Sequence, residues 1–227
     1  MSQNTQLLSK RATRPKGACH RSVTGGGREH FDCQHNIFKA LFFKIVMKEL
    51  PQSFFASDAL TVARGLLGKI ISVNGMQARI VETEAYGRDP ASHAYKRTER
   101  SALMYDTHGH VYVYLIYGMY WCLNFTSDKN EAGAVLIRAA EPLSGIEKMK
   151  QHRNTEKISN LCSGPGKLCL ALVIDKQYNG LKLGKEMRVF DDGFKIGKVA
   201  TSSRIGIKDA LDLQWRFFLD GNEHVSK

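Results

Sequence analysis

The five cysteines, Cys19, Cys33, Cys122, Cys162 and Cys169, are odd in number, scattered and without a CxxC pair. That argues against a disulfide framework and against a zinc ribbon, and fits a reducing compartment. No apolar run approaches the roughly 20 residues needed to span a bilayer. The nearest candidate, residues 38–47, is broken by Lys39 and Lys44, so a soluble chain with no membrane partner is expected. Acidic residues are scarce beside basic ones: 22 Asp and Glu against 33 Lys and Arg, a formal net charge of +11. Such an excess suits a polyanionic partner, but its location decides its meaning. Residues 1–46 hold eight basic and two acidic side chains, leaving +5 for the remainder.

Residues 1–28 contain no acidic residue and include the run Gly25-Gly26-Gly27, a composition that does not pack. Residues 1–46 are therefore read as a disordered basic leader and 47–227 as one folded domain. The leader suits a transit peptide, a DNA-tethering arm, or sequence lying upstream of a true start at Met47. His30, Cys33 and His35 lie in it without a fourth ligand or a recognised spacing, so no metal is expected.

Within the domain, order should begin near Pro51. Ser57 is placed to cap a helix whose Leu60, Ala63 and Leu67 share a face, ended by Gly68. Asn74-Gly75 between residues 69–73 and 77–82 is a strong hairpin signal. Strands are expected over 111–116, 120–125, 134–139, 187–190 and 215–219. Pro142 should open a helix carrying Leu143, Ile146 and Met149, and a second helix should follow Ser163-Gly164-Pro165-Gly166, from Lys167 to Ile174. With no repeat and no regular αβ alternation, the fold class is α+β: a single domain with a central curved, mostly antiparallel sheet flanked by helices.

Two segments carry chemistry. Glu84 and Tyr86 are two residues apart at a strand end and so share a face, although Glu82 and Glu84 would equally suit a solvated strand edge. Residues 111–121 hold five aromatics, with Tyr112 and Tyr114 on one face of a regular strand. Tyr117 beside Gly118 puts a large ring at a turn tip, where it can wedge between bases. An extruded base would stack on Tyr86, Tyr114 and His93. Ser163-Gly164-Pro165-Gly166-Lys167 opens a helix with small residues and one ammonium, a seat for a phosphate. Lys96, Arg97, Arg100, Lys167 and Arg204 are candidate contacts to the DNA backbone.

Taken together, residues 81–86 (VETEAY), 91–93 (ASH), 112–120 (YVYLIYGMY), 135–142 (VLIRAAEP) and 162–168 (CSGPGKL) resemble the alkyladenine (3-methyladenine) DNA glycosylase family. The order and spacing match over nearly all of residues 52–220, including Leu66-Leu67-Gly68 and Ser203-Arg204-Ile205-Gly206. The resemblance implies a monofunctional glycosylase of base excision repair with no metal or organic cofactor. Its partner would be duplex DNA carrying alkylated or deaminated purines such as 3-methyladenine, 7-methylguanine and hypoxanthine. It implies that Glu84 deprotonates the attacking water, that Arg138 helps hold that water, and that Tyr117 replaces the flipped nucleotide with Met119 beside it. It implies further that Tyr86, His93 and Tyr114 wall the base pocket and that Asn124 obstructs the 2-amino group of guanine. A monomer is expected, in a bacterial cytoplasm or nucleoid or a eukaryotic nucleus, with organellar import if the leader directs it. The alternative is a basic, non-catalytic nucleic-acid binding module in which Glu84 is incidental.

Overall fold

The computed structural model describes residues 47–227. The reading of residues 1–46 as a disordered leader, and the His30, Cys33 and His35 group, lie outside the described residues. Among the described residues no helix is long and apolar enough to cross a membrane.

Nine strands make one sheet: β1 (Lys48–Glu49), β2 (Ile70–Val73), β3 (Met76–Tyr86), β4 (Val111–Ile116), β5 (Tyr120–Ser127), β6 (Gly133–Ser144), β7 (Met187–Asp191), β8 (Val199–Ser202) and β9 (Arg216–Leu219). The main path is β1-β7-β2-β3-β6-β5-β4. Strand β9 pairs with both β3 and β8. Every pairing is antiparallel. With helices α1 (Ala59–Leu66), α2 (Ala102–Asp106), α3 (Ile146–Arg153) and α4 (Pro165–Leu172), this is the expected α+β class.

Local chemistry explains most boundaries. Asn74 (φ 54°) and Gly75 (φ 72°) turn the β2–β3 hairpin with both central residues left-handed, the geometry that matches strand twist. Helix α1 is capped by Asp58, not Ser57: the Asp58 carboxylate accepts the Thr61 amide at 3.0 Å. The start shifts accordingly, and Ala59, Val62, Ala63 and Leu66 form the buried face. Pro142 does not open a helix. It lies in β6 opposite Ala78, beside a register shift, where a residue without an amide hydrogen costs the ladder little. Helix α3 starts only after Gly145, at φ +75°, where an added Cβ would sit 2.7 Å from Met76. Strands β1 and β8 were not expected; both are short.

The β3–β6 pair contains two register shifts that position the site. Ile80 faces Ala140 and Glu82 faces Ala139, so Val81 is an extra residue on β3. Ala139 faces Glu82 and Ile137 faces Thr83, so Arg138 is an extra residue on β6. A bulge of this kind re-aims the side chains that follow it. Before it, the even positions Met76, Ala78 and Ile80 supply the core. Beyond it the core side passes to Thr83, whose hydroxyl donates to Ala63 O in α1 at 2.9 Å, and to Ala85. Glu82, Glu84 and Tyr86 then face the opposite way, together with Arg138.

Candidate active site

Glu84 is fully buried, and each of its contacts is specific. Tyr86 Oη donates to Oε2 at 2.8 Å, the Ile205 amide donates to Oε1 at 2.7 Å, and Arg138 Nη1 lies 3.3 Å from Oε1. Burial pushes the carboxyl above the ordinary carboxylate range, against the pull of Arg138, the Ile205 amide and Tyr86. Oε2 takes only the Tyr86 hydroxyl, so Glu84 keeps capacity for a further donor.

In front of Glu84 lies a cavity of about 840 Å³ whose wall includes Tyr86, Arg138 and Ile205. Glu84 itself stands one contact behind that wall. Tyr114, His93 and Asn124 line the same space, so it joins the four residues expected to wall a base pocket, Tyr86, His93, Tyr114 and Asn124. The His93 ring meets Tyr114 edge-on, centroids 4.8 Å apart, and its Nδ1 shares a 2.8 Å hydrogen bond with Tyr112 Oη. Burial, and then the nearby Arg100 charge, pushes His93 down to about 4, so the ring is neutral at pH 7. Burial also raises the Tyr86 and Tyr114 phenols, which remain hydroxyl donors. Asn124 is fixed because Nδ2 donates to Tyr112 O at 3.1 Å and Cys122 O at 3.3 Å.

Tyr117 stands at the tip of the β4–β5 hairpin. Tyr117 (φ 54°) and Gly118 (φ 68°) are both left-handed, and the Met119 amide closes the turn on Ile116 O at 3.2 Å. Tyr117 is 75% exposed and Met119 65%, an unusual display of apolar surface for two residues of one turn. Tyr117 lines the cavity mouth and Met119 does not. Tyr120 at the base of the tip packs against the start of α4: a Cβ on Gly166 would lie 3.0 Å from it.

The five basic candidates separate. Arg100 and Lys167 line the cavity. The Arg100 guanidinium sits 5.2 Å from the Tyr114 ring centre. Lys167 Nζ donates to Asn160 Oδ1 at 2.7 Å, and burial, followed by the Arg153 charge, holds it below the ordinary lysine value. Lys96 borders a smaller hollow of about 250 Å³ beside His93, while Arg97 is exposed and paired with Asp106 at 2.8 Å. Arg204 is not a backbone contact. It is 3% exposed, forks onto Asp89 at 2.6 and 3.1 Å, donates to Ala85 O at 3.1 Å, and lies 4.7 Å behind the Tyr86 ring. Its charge is consumed inside the protein, where it braces Tyr86.

Sequence reasoning missed three members of the site. Glu82 accepts from Arg138 Nε at 3.2 Å, Arg216 Nε at 2.6 Å and Ser226 Oγ at 2.8 Å. The only signal for it was its two-residue spacing from Glu84; Arg216 and Ser226 gave none. Among the described residues no cluster of three or more His, Cys, Asp or Glu could hold a metal ion.

The methylpurine-DNA glycosylase (MPG) family model matches residues 53–223. Three bacterial proteins provisionally named 3-methyladenine DNA glycosylases are similar over most of the chain. One of Agrobacterium fabrum is 47% identical over 181 residues, covering 79% of this chain and 93% of its own. One of Clostridium novyi is 42% identical over 200 residues, covering 80% and 100%. One of Clostridium perfringens is 46% identical over 202 residues, covering 78% and 98%.

Proposed function

The chain belongs to the methylpurine-DNA glycosylase family, and from that premise we propose that this DNA glycosylase everts alkylated or deaminated purines, with Glu84 activating the water that replaces the base. The lesions in question are 3-methyladenine, 7-methylguanine and hypoxanthine. The observation that carries the reading is the junction of a buried carboxylate with an aromatic cavity through Tyr86 and Arg138.

The chemistry follows from the groups present. The bond between C1′ and the purine nitrogen breaks, its electron pair leaving with the base. Positive charge develops on the sugar, a water oxygen bonds to C1′, and Glu84 accepts the water's proton. A buried carboxylate serves both as base and as counter-charge to that sugar. Arg138 lines the cavity beside Glu84 and is suited to orienting the water. An alkylated purine is cationic and leaves as a neutral molecule, whereas hypoxanthine must be hydrogen-bonded or protonated. His93, neutral at pH 7, offers it a hydrogen bond rather than a proton.

Eversion costs a few kcal/mol in lost stacking, offset when a side chain fills the gap. Tyr117 has the exposure and the position for this, with Met119 beside it. The released base stacks against Tyr86, His93 and Tyr114, and the fixed Asn124 amide obstructs a 2-amino group. Lys96, Arg97, Arg100 and Lys167 hold the phosphates. The exposed Arg97–Asp106 pair is worth little and yields readily to a phosphate.

The test is base release from duplexes bearing one lesion each. Glu84→Gln should bind lesion DNA as the wild type does and release no base. Full excision by that variant would overturn the reading.

A further inference from the structure

Arg138 is divided between two carboxylates. Its Nε donates to Glu82 at 3.2 Å, and only one terminal nitrogen approaches Glu84, at 3.3 Å. An arginine free to choose closes on a carboxylate through two parallel hydrogen bonds of about 2.7–2.9 Å. Glu82 prevents this, and Glu82 is itself immobile. It is fully buried; Oε1 takes Arg216 Nε at 2.6 Å and Ser226 Oγ at 2.8 Å as well as Arg138, and Oε2 takes the Ser226 amide at 2.7 Å. These donors come from β6, β9 and the segment around Ser226, so three parts of the chain converge on one side chain of β3. That segment also reaches the cavity, since Ser226 and Lys227 line it.

We propose that Glu82 is a positioning residue for hydrolysis: anchored by Arg216 and Ser226, it holds Arg138 by its Nε edge and thereby limits how far that guanidinium neutralises Glu84. The inference rests on Glu84 being the base, and goes beyond it. A carboxylate fully clamped by arginine is a weak base. One that shares its arginine stays basic, and leaves the remaining guanidinium donors facing the cavity. The charged and polar groups around Glu84 act consistently: Arg138, the Ile205 amide and Tyr86 stabilise its anion, whereas burial and the Glu82 charge oppose it. Arg204, behind Tyr86, is already neutralised by Asp89.

The test is single-turnover release of 7-methylguanine from a duplex, followed from about pH 5 to 9, where the acid limb reports the base that must be ionised. With Glu82→Gln the anchor loses its charge and Arg138 closes on Glu84. The acid limb should then move down by about one pH unit and the plateau rate should fall about tenfold, with lesion-DNA binding unchanged. Ser226→Ala removes one donor from Glu82, which draws harder on Arg138, so the limb should move the opposite way, upward. If Glu82→Gln does not fold, Ser226→Ala decides alone. Rates that fall with the limb unmoved, or limbs that move in the same direction, would overturn the proposal and leave Glu82 as scaffold. Glu84→Gln separates the two readings: an active Glu84→Gln sinks the role of Glu84 itself, whereas an inactive one with unmoved limbs sinks only the role of Glu82.

Discussion

Replacing Tyr117 by asparagine should separate the wedge from the fold. The ring is 75% exposed, so almost no burial is lost on removing it. The backbone at φ 54° is strained for tyrosine by about 1–2 kcal/mol, and asparagine is among the few residues that tolerate it. The variant should therefore be more stable, by about 0.5–1 kcal/mol, which for a domain of this size raises Tm by roughly 1–4 °C. Function should move the other way. Loss of a stacking ring costs about 1–3 kcal/mol, so capture of the everted lesion should weaken by roughly 5- to 150-fold. The assay is titration of duplexes carrying 2-aminopurine beside hypoxanthine, in a Glu84→Gln background so that no base is released, alongside thermal melts. A variant that melts lower and binds as before would refute both halves: the ring would be part of the fold and not the filler of the DNA stack.

Two further outcomes follow from buried charge. Arg204→Met should destabilise the protein by about 3–5 kcal/mol, because Asp89 is left buried without its partner; urea unfolding measures this, and the salt dependence of DNA binding should be unchanged, whereas a phosphate contact would lower its slope by about one. His93, pushed down to about 4 by burial and then Arg100, binds fewer protons folded than unfolded between that value and about 6.5. Stability contributed by its neutral form is thus complete above that window and is lost as pH falls through it. Melting at pH 7.5 and pH 5 should show a larger loss for the wild type than for His93→Phe; equal losses would mean that the ring titrates normally.

What could be read from the sequence was what the backbone must do locally. Asn74-Gly75 marked a hairpin and Tyr117-Gly118 a turn tip, and both turns are found, each with two left-handed residues. The two-residue step from Glu84 to Tyr86 put both on one face, and their hydrogen bond follows. What failed depended on distant partners. Arg204 looked like any surface arginine because Asp89 lies 115 residues away. Glu82 looked like a solvated edge because Arg216 and Ser226 lie 134 and 144 residues on. Pro142 followed the rule for helix starts, yet the strand continues through it, with Leu143 an extra residue on β6 beside it.

Two of the three register shifts of the β3–β6 pair, those at Val81 and Arg138, tie these observations together. An uninterrupted ladder would keep one alternation along β3, and the even positions that supply Met76, Ala78 and Ile80 to the core would have sent Glu82 and Glu84 there too. Two carboxylates in an apolar core would be neutral or unfolding. The extra residue on β3 exchanges the faces, and the extra residue on β6 brings Arg138 to the carboxylates that need it. Neither feature favours stability: each bulge disrupts the ladder, and buried ion pairs contribute little beyond what apolar packing would give. Irregular pairing and buried charge thus fall on the same stretch of the sheet, and there Glu84 stands one contact behind the cavity wall formed by Tyr86, Arg138 and Ile205. Costs gathered in this way mark a site kept for its chemistry.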